Sequence, residues 1–213
     1  MEKFSKSWNP EPKKGIRQRI REAFDKDPIR YKLMIANYKI KAIITRLEAS
    51  IARLRERDAE LFERVVEALQ QGDKYRAAVY ANEVAEIRKA IKQMMIVKLA
   101  LEKLSLRLET VMMMGDTVTA LAPIVGVVHE IKNYVKGVMP MISLELADLE
   151  ETLNSVAVEA GEFTSIASVS PAASIEAKKI LREAAVIAEQ RLREQFPEIP
   201  SASSIEEGQE AQV

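Results

Sequence analysis

Cysteine is absent from the 213 residues, and histidine appears once, at position 129. Without cysteine there is no disulfide framework and no thiolate metal site, which fits a reducing cytoplasmic location. A lone histidine, with Gly126 where a Glu-x-x-His pair would need its carboxylate, excludes the ligand set of di-iron helical bundles. His129 therefore reads as a solvated or partly packed helix residue. No glycine-rich GxxxxGK[ST] phosphate loop occurs, so any ATP dependence has to come from a partner. Aromatic residues make up only 5%, sparse for an enzyme core, and seven glycines are too few for a fold rich in tight turns. Apolar runs are short as well. The longest, 117–128, falls well below the roughly 20 residues that span a bilayer, and no charged-then-apolar leader opens the chain. A carboxylate-only magnesium site stays open in principle, but the acidic residues lie at helix-surface spacing among lysines and arginines. The expectation is a soluble or peripheral protein with no catalytic residue, no metal and no cofactor.

What is abundant is alanine, glutamate, lysine, leucine and arginine, all strong helix formers, and the fold class expected is all-α. The net charge of zero hides an asymmetry. Residues 1–57 carry 16 Lys and Arg against 7 Asp and Glu, residues 58–129 carry 9 against 10, and residues 130–213 carry 7 against 15. A basic beginning and an acidic end imply either an acidic partner for the first segment or a clasp of the last upon the first.

No proline falls between Pro28 and Pro123. Leu33, Ile40, Leu47, Leu54 and Leu61 recur every seven residues, with Ile44, Ile51 and Val65 beside them, which predicts a coiled-coil-like helix from about 29 to 71. In "QQGDKY" Gly72 suits a left-handed C-cap and Asp73 the next N-cap. A second stripe, Tyr80, Ile87, Met94, Leu101 and Leu108, interleaved with Ala77, Val84, Ile91 and Met112, carries the next helix to at least Val111. Together they predict an antiparallel helical hairpin over 29–114. Pro123, Gly126, Gly137 and Pro140 are expected to divide the following segment into a hinge and shorter helices over 115–160, with Pro140 opening a helix whose apolar face is Ile142, Leu146, Leu149, Leu153 and Val156. A serine-rich linker and a helix from Ser170-Pro171 to about Gln195 fill 161–196, and 197–213 is a polar tail.

The basic arm, 1–28, contains "KKGIRQRIREAF". Ile16, Ile20, Ala23 and Phe24 share one helical face while Lys13, Lys14, Arg17, Arg19 and Arg21 load the rest. Such a helix suits anionic lipid headgroups, with Trp8 and Phe4 as further apolar anchors. The alternative is a short helix packed on the hairpin. Nucleic acid is not expected as a partner, because no aromatic platform or DNA-reading motif accompanies the charge.

The stretch "LRERDAELFERVVEALQQGDKYRAAVYANEVAEIRK", followed by "LALEKLSLRLETVMMMGDTVTALAP", resembles the core of archaeal ESCRT-III proteins of the CdvB group, relatives of the eukaryotic charged multivesicular body proteins. The resemblance covers about 14–158, and the basic-to-acidic gradient matches too. It implies an extended subunit of membrane-remodelling filaments that constrict the neck between dividing cells, on the inner face of the cell membrane. The partners it implies are further copies, ESCRT-III paralogues, anionic lipids and a AAA ATPase carrying an MIT domain. With no winged-helix region after the last helix, the chain looks like one of the shorter paralogues. A soluble hairpin adaptor, or a phage-shock-like membrane-protecting coiled coil, is the alternative.

Two further features follow from the resemblance. "FPEIP" is similar to a proline-containing MIT-interacting motif, with Phe196, Pro197, Ile199 and Pro200 binding the ATPase; the alternative is a helix stop. The helical kind of that motif is supported only by Arg191-Leu192, with Gln195 where leucine is wanted. In "ETVMMMGDTV", Gly115 is expected to be a joint that lets the second and third helices become continuous in an open form, the methionines repacking around it. Ordinary core methionines beside a C-cap glycine are the alternative.

Overall fold

The computed structural model describes residues 28–114, 121–159 and 171–200. All regular structure among them is helical: α1 (Pro28–Gln70), α2 (Lys74–Met114), α3 (Leu121–Val135), α4 (Pro140–Glu159) and α5 (Pro171–Gln195). The first two form the expected hairpin, two rods of roughly 60 Å. Its turn closes through local chemistry. Gly72 takes φ 73°, Asp73 N–H donates to the Ala68 carbonyl at 2.9 Å and Gly72 N–H to that of Leu69 at 3.0 Å, the Schellman pattern. Asp73 Oδ1 then caps α2 by accepting from Arg76 N–H at 2.9 Å.

Polar pairs fix the hairpin register. Near its open end Ser105 Oγ donates to Asn37 Oδ1 at 2.6 Å, and Asn37 Nδ2 donates to Glu109 Oε1 at 3.1 Å. Further toward the turn, Asp58, which is buried, and Arg88, which is largely so, form a bidentate pair at 2.8 and 3.2 Å. Leaving either group unpaired costs more than slipping gains, so the two helices have one alignment.

The later helices fold back on this hairpin. α4 packs along α1, α5 along α2, and α3 lies against α2, α4 and α5. Pro123 and Gly126 do not divide this segment as the sequence reading expects, because α3 runs through both. Pro123 is the third residue of the helix, where its missing N–H would have no intrahelical acceptor. Gly126 costs about 1 kcal/mol of helix propensity. That is outweighed by burial of Leu121, Ile124, Val125, Val127, Val128, Ile131 and Val135. Pro140 opens α4 and α5 ends at Gln195, as expected.

Candidate functional surfaces

Lysines and arginines of the hairpin meet carboxylates of α4 and α5 along two seams. On α1, Lys32 pairs with Glu159 and Lys39 with Asp148, each at 2.7 Å, and Arg46 with Glu145. On α2, Arg107 pairs with Glu176 at 2.6 Å, Lys103 with Glu183 at 2.5 Å, and Lys92 with Glu189. The acidic end therefore does clasp the basic beginning, with one correction: half the clasp lies on α2, because α5 seats there rather than on α1. The Lys103 ammonium holds the Glu183 carboxyl below the usual range, and Lys92, helped by Arg193, does the same to Glu189. Under the seams the contact is apolar. Leu146, Leu149, Leu153 and Val156 of α4, with Ala177, Ile180, Ala184 and Ala188 of α5, are buried in the main core.

The second surface lies where α5 ends. Phe196 N–H donates to the Leu192 carbonyl at 3.0 Å, which completes the last turn and turns the ring onto the hairpin. The Arg88 guanidinium stands 5.1 Å from the centre of the Phe196 ring and 5.6 Å from that of Phe62. It also donates to the Pro197 carbonyl at 2.6 Å while held by Asp58. Ile199 packs against Leu61, Val65 and Val84, and Arg55 donates to Gln195. So Phe196, Pro197 and Ile199, expected to bind an ATPase, sit on this chain's own hairpin, and Pro200 follows half-buried. Sequence reasoning missed the seat. Its signal was Asp58 and Arg88 standing equally far on either side of Asp73, the condition for facing each other across an antiparallel hairpin.

His129 Nδ1 lies 2.8 Å from Glu150 Oε1, and Lys132 meets the other oxygen of the same carboxylate, so the histidine joins α3 to α4. Among the described residues no three His, Asp or Glu side chains gather as a metal site, and no helix is long and apolar enough to cross a membrane. Trp8, Lys13, Lys14, Ile16, Arg17, Arg19, Ile20, Arg21 and Phe24, expected to bind lipid, and the joint at Gly115 lie outside the described residues.

Fold and surfaces together define an all-α protein: a long charged hairpin on which acidic helices and a phenylalanine-bearing tail are folded. Comparison with known proteins is specific. The chain is 45% identical over 199 residues to cell division protein B1 of Sulfolobus acidocaldarius, covering 93% of this chain and 90% of that protein. It is 39% identical over 140 residues to cell division protein B of the same organism, covering 66% of this chain and 54% of that protein. With cell division protein B3 it shares 30% over 119 residues, 55% of this chain and 68% of the relative. No family model and no solved structure matches. The chain belongs to the cell division protein B family, a group with several paralogues related to this sequence.

Proposed function

We propose that this protein is a membrane-remodelling filament subunit that polymerises on anionic membrane at the division site, with itself and with paralogues, and constricts the neck between dividing cells. It acts mechanically, without an active site or cofactor, from the cytoplasmic face. The observation that carries the reading is the double seam. Six cations of the hairpin are occupied by carboxylates of α4 and α5, and release of those helices frees the same cations for neighbouring subunits or lipid headgroups. The folded-back form is then the storage state and the polymer the working one.

Electron microscopy and pelleting of the purified protein with and without anionic vesicles test this. Filaments or coated tubules are expected with anionic vesicles, salt-sensitive and lost on deletion of residues 1–24. Monomers at every protein and lipid concentration would leave the hairpin-adaptor reading in its place.

The tail fits the same reading as the attachment point of an MIT-domain ATPase. Since Phe196 and Ile199 are engaged on the hairpin, the ATPase has to displace them. In calorimetry with an MIT domain, a peptide spanning 190–213 is expected to bind more tightly than the full chain, and Phe196→Ala with Ile199→Ala to weaken the peptide. Equal heats for wild-type and substituted peptide would reduce "FPEIP" to a helix stop.

A further inference from the structure

Residues 131–144, "IKNYVKGVMPMISL", contain no Asp or Glu, although they lie in the acidic end of the chain, where residues 130–213 carry 15 acidic against 7 basic residues. They form the end of α3, the turn and the start of α4. The turn is firmly built: the Val135 carbonyl accepts from Val138 N–H at 3.0 Å and Met139 N–H at 2.8 Å, Met139 is buried, and Pro140 starts the next helix. On this fixed frame Tyr134, Val138, Met141 and Leu144 stand 42, 50, 69 and 67% exposed. Four large apolar side chains at one tip are unusual on a folded surface and mark a contact.

Cations accompany them. Lys136 is exposed in the turn itself. Along the α1 seam, fourteen residues forward from Lys32 to Arg46 match fourteen back from Glu159 to Glu145. One further step of seven along α1 reaches Arg53, the next basic residue of that helix after Arg46. Arg53 is exposed, and neither it nor Lys136 reaches a carboxylate among the described residues.

We propose that the α3–α4 turn is a second lipid-contact element, a wedge that seats at the headgroup level of an anionic membrane. The inference rests on the membrane reading above. An apolar tip with an amphipathic tyrosine, flanked by unpaired cations and free of acids, matches the boundary between anionic headgroups and acyl chains. A two-fold contact between copies is disfavoured, because it would set the same cations against each other. The wedge is separate in sequence from the basic arm, so it gives a bound subunit a second anchor and a defined orientation on the bilayer.

The test uses the full chain and vesicles of phosphatidylglycerol and phosphatidylcholine. Tyr134→Ser, Val138→Ser, Met141→Ser and Leu144→Ser together replace only exposed side chains, so circular dichroism and melting should match wild type. Vesicle affinity is expected to fall at least about tenfold, with the residual binding more salt-sensitive. In a Trp8→Phe background, Val138→Trp provides a single indole whose emission should shift blue on vesicles and be quenched by brominated acyl chains. If wild type binds no vesicles, the membrane reading itself fails. If wild type binds, yet the four-site variant binds equally and the indole at 138 stays unquenched, only the wedge is overturned. A four-site variant that loses assembly in lipid-free solution would make the tip a contact between copies and overturn it as well.

Discussion

Along the open half of α1, Leu33, Ile40, Ile43 and Leu47 face a core to which all five helices contribute. Beyond Asp58 the same helix buries only Leu61, Val65 and Ala68, and the cluster there is completed by Val84 of α2 with Leu69, Tyr80, Ala81, Ile87 and Ile199 beside it. One hairpin thus holds two regimes. The open half is stabilised by tertiary burial, while the turn half is a two-helix ribbon that depends on its caps, its register and the tail lying on it. Isolated two-helix ribbons are marginal, so local opening should begin at the turn and stop where α5 ends. The Arg88 seat stands at that border.

Cutting into each regime separately is the direct way to break this comparison. The largest effect is expected from Leu149→Ala, a fully buried α4 side chain in the shared core: a loss of about 3–4 kcal/mol in global stability by urea unfolding. Hydrogen exchange should rise in α1, α3 and α4 together. If exchange rose in α4 alone, the open half would not be one cooperative core.

Asp58→Ala comes next, at about 2–3 kcal/mol, because it strips the partner from an Arg88 side chain that is only 11% exposed. Tail and turn half should lose protection while α3 keeps it. Replacing both members, Asp58→Leu with Arg88→Met, should cost less than Asp58→Ala alone; a larger cost would mean the pair contributes more than its own desolvation. Smaller again is Val84→Ala, about 1.5 kcal/mol for two methyl groups, felt in exchange from 61 to 84 and hardly in the global transition.

The sequence made the hairpin legible because its determinants are local or repeat every seven residues. Gly72 and Asp73 need only their own turn, and Leu33, Ile40, Leu47 and Leu61 all prove buried. What escaped depends on distant partners. Ile96, Ala100, Leu104 and Val111 are buried outside the α2 stripe, since α2 also packs against α3 and α5 far along the chain. Pro123 and Gly126 mislead at α3, because local helix breakers carry no sign of the tertiary burial that overrides them. The charge gradient allows the clasp as one of two readings and does not say which helix receives α5. Glu150, shared by His129 and Lys132, stood among other surface-spaced acids and gave no sign.

The smallest effect sharpens the comparison by charge rather than packing. Glu183 and Glu189 titrate below the usual carboxylate range because the folded chain places Lys103 and Lys92 beside them, a placement the unfolded chain lacks. A group whose folded pKa is depressed stabilises the fold fully above its unfolded pKa, and that contribution disappears as the pH falls through the lowered value. Acidification below about pH 4.5 should therefore loosen α5 from α2 before the apolar core responds, and raised salt should reduce the effect, since both carboxylates are exposed. Amide protection of α5, corrected for intrinsic exchange, is the measurement. Lys103→Gln with Lys92→Gln should remove most of that pH dependence, leaving Leu149 and its neighbours protected as before. A pH dependence unchanged by the two substitutions would place the acid-sensitive contact elsewhere, and the α2 seam would then be held by Arg107–Glu176 and by the apolar contact of Ala177, Ile180, Ala184 and Ala188.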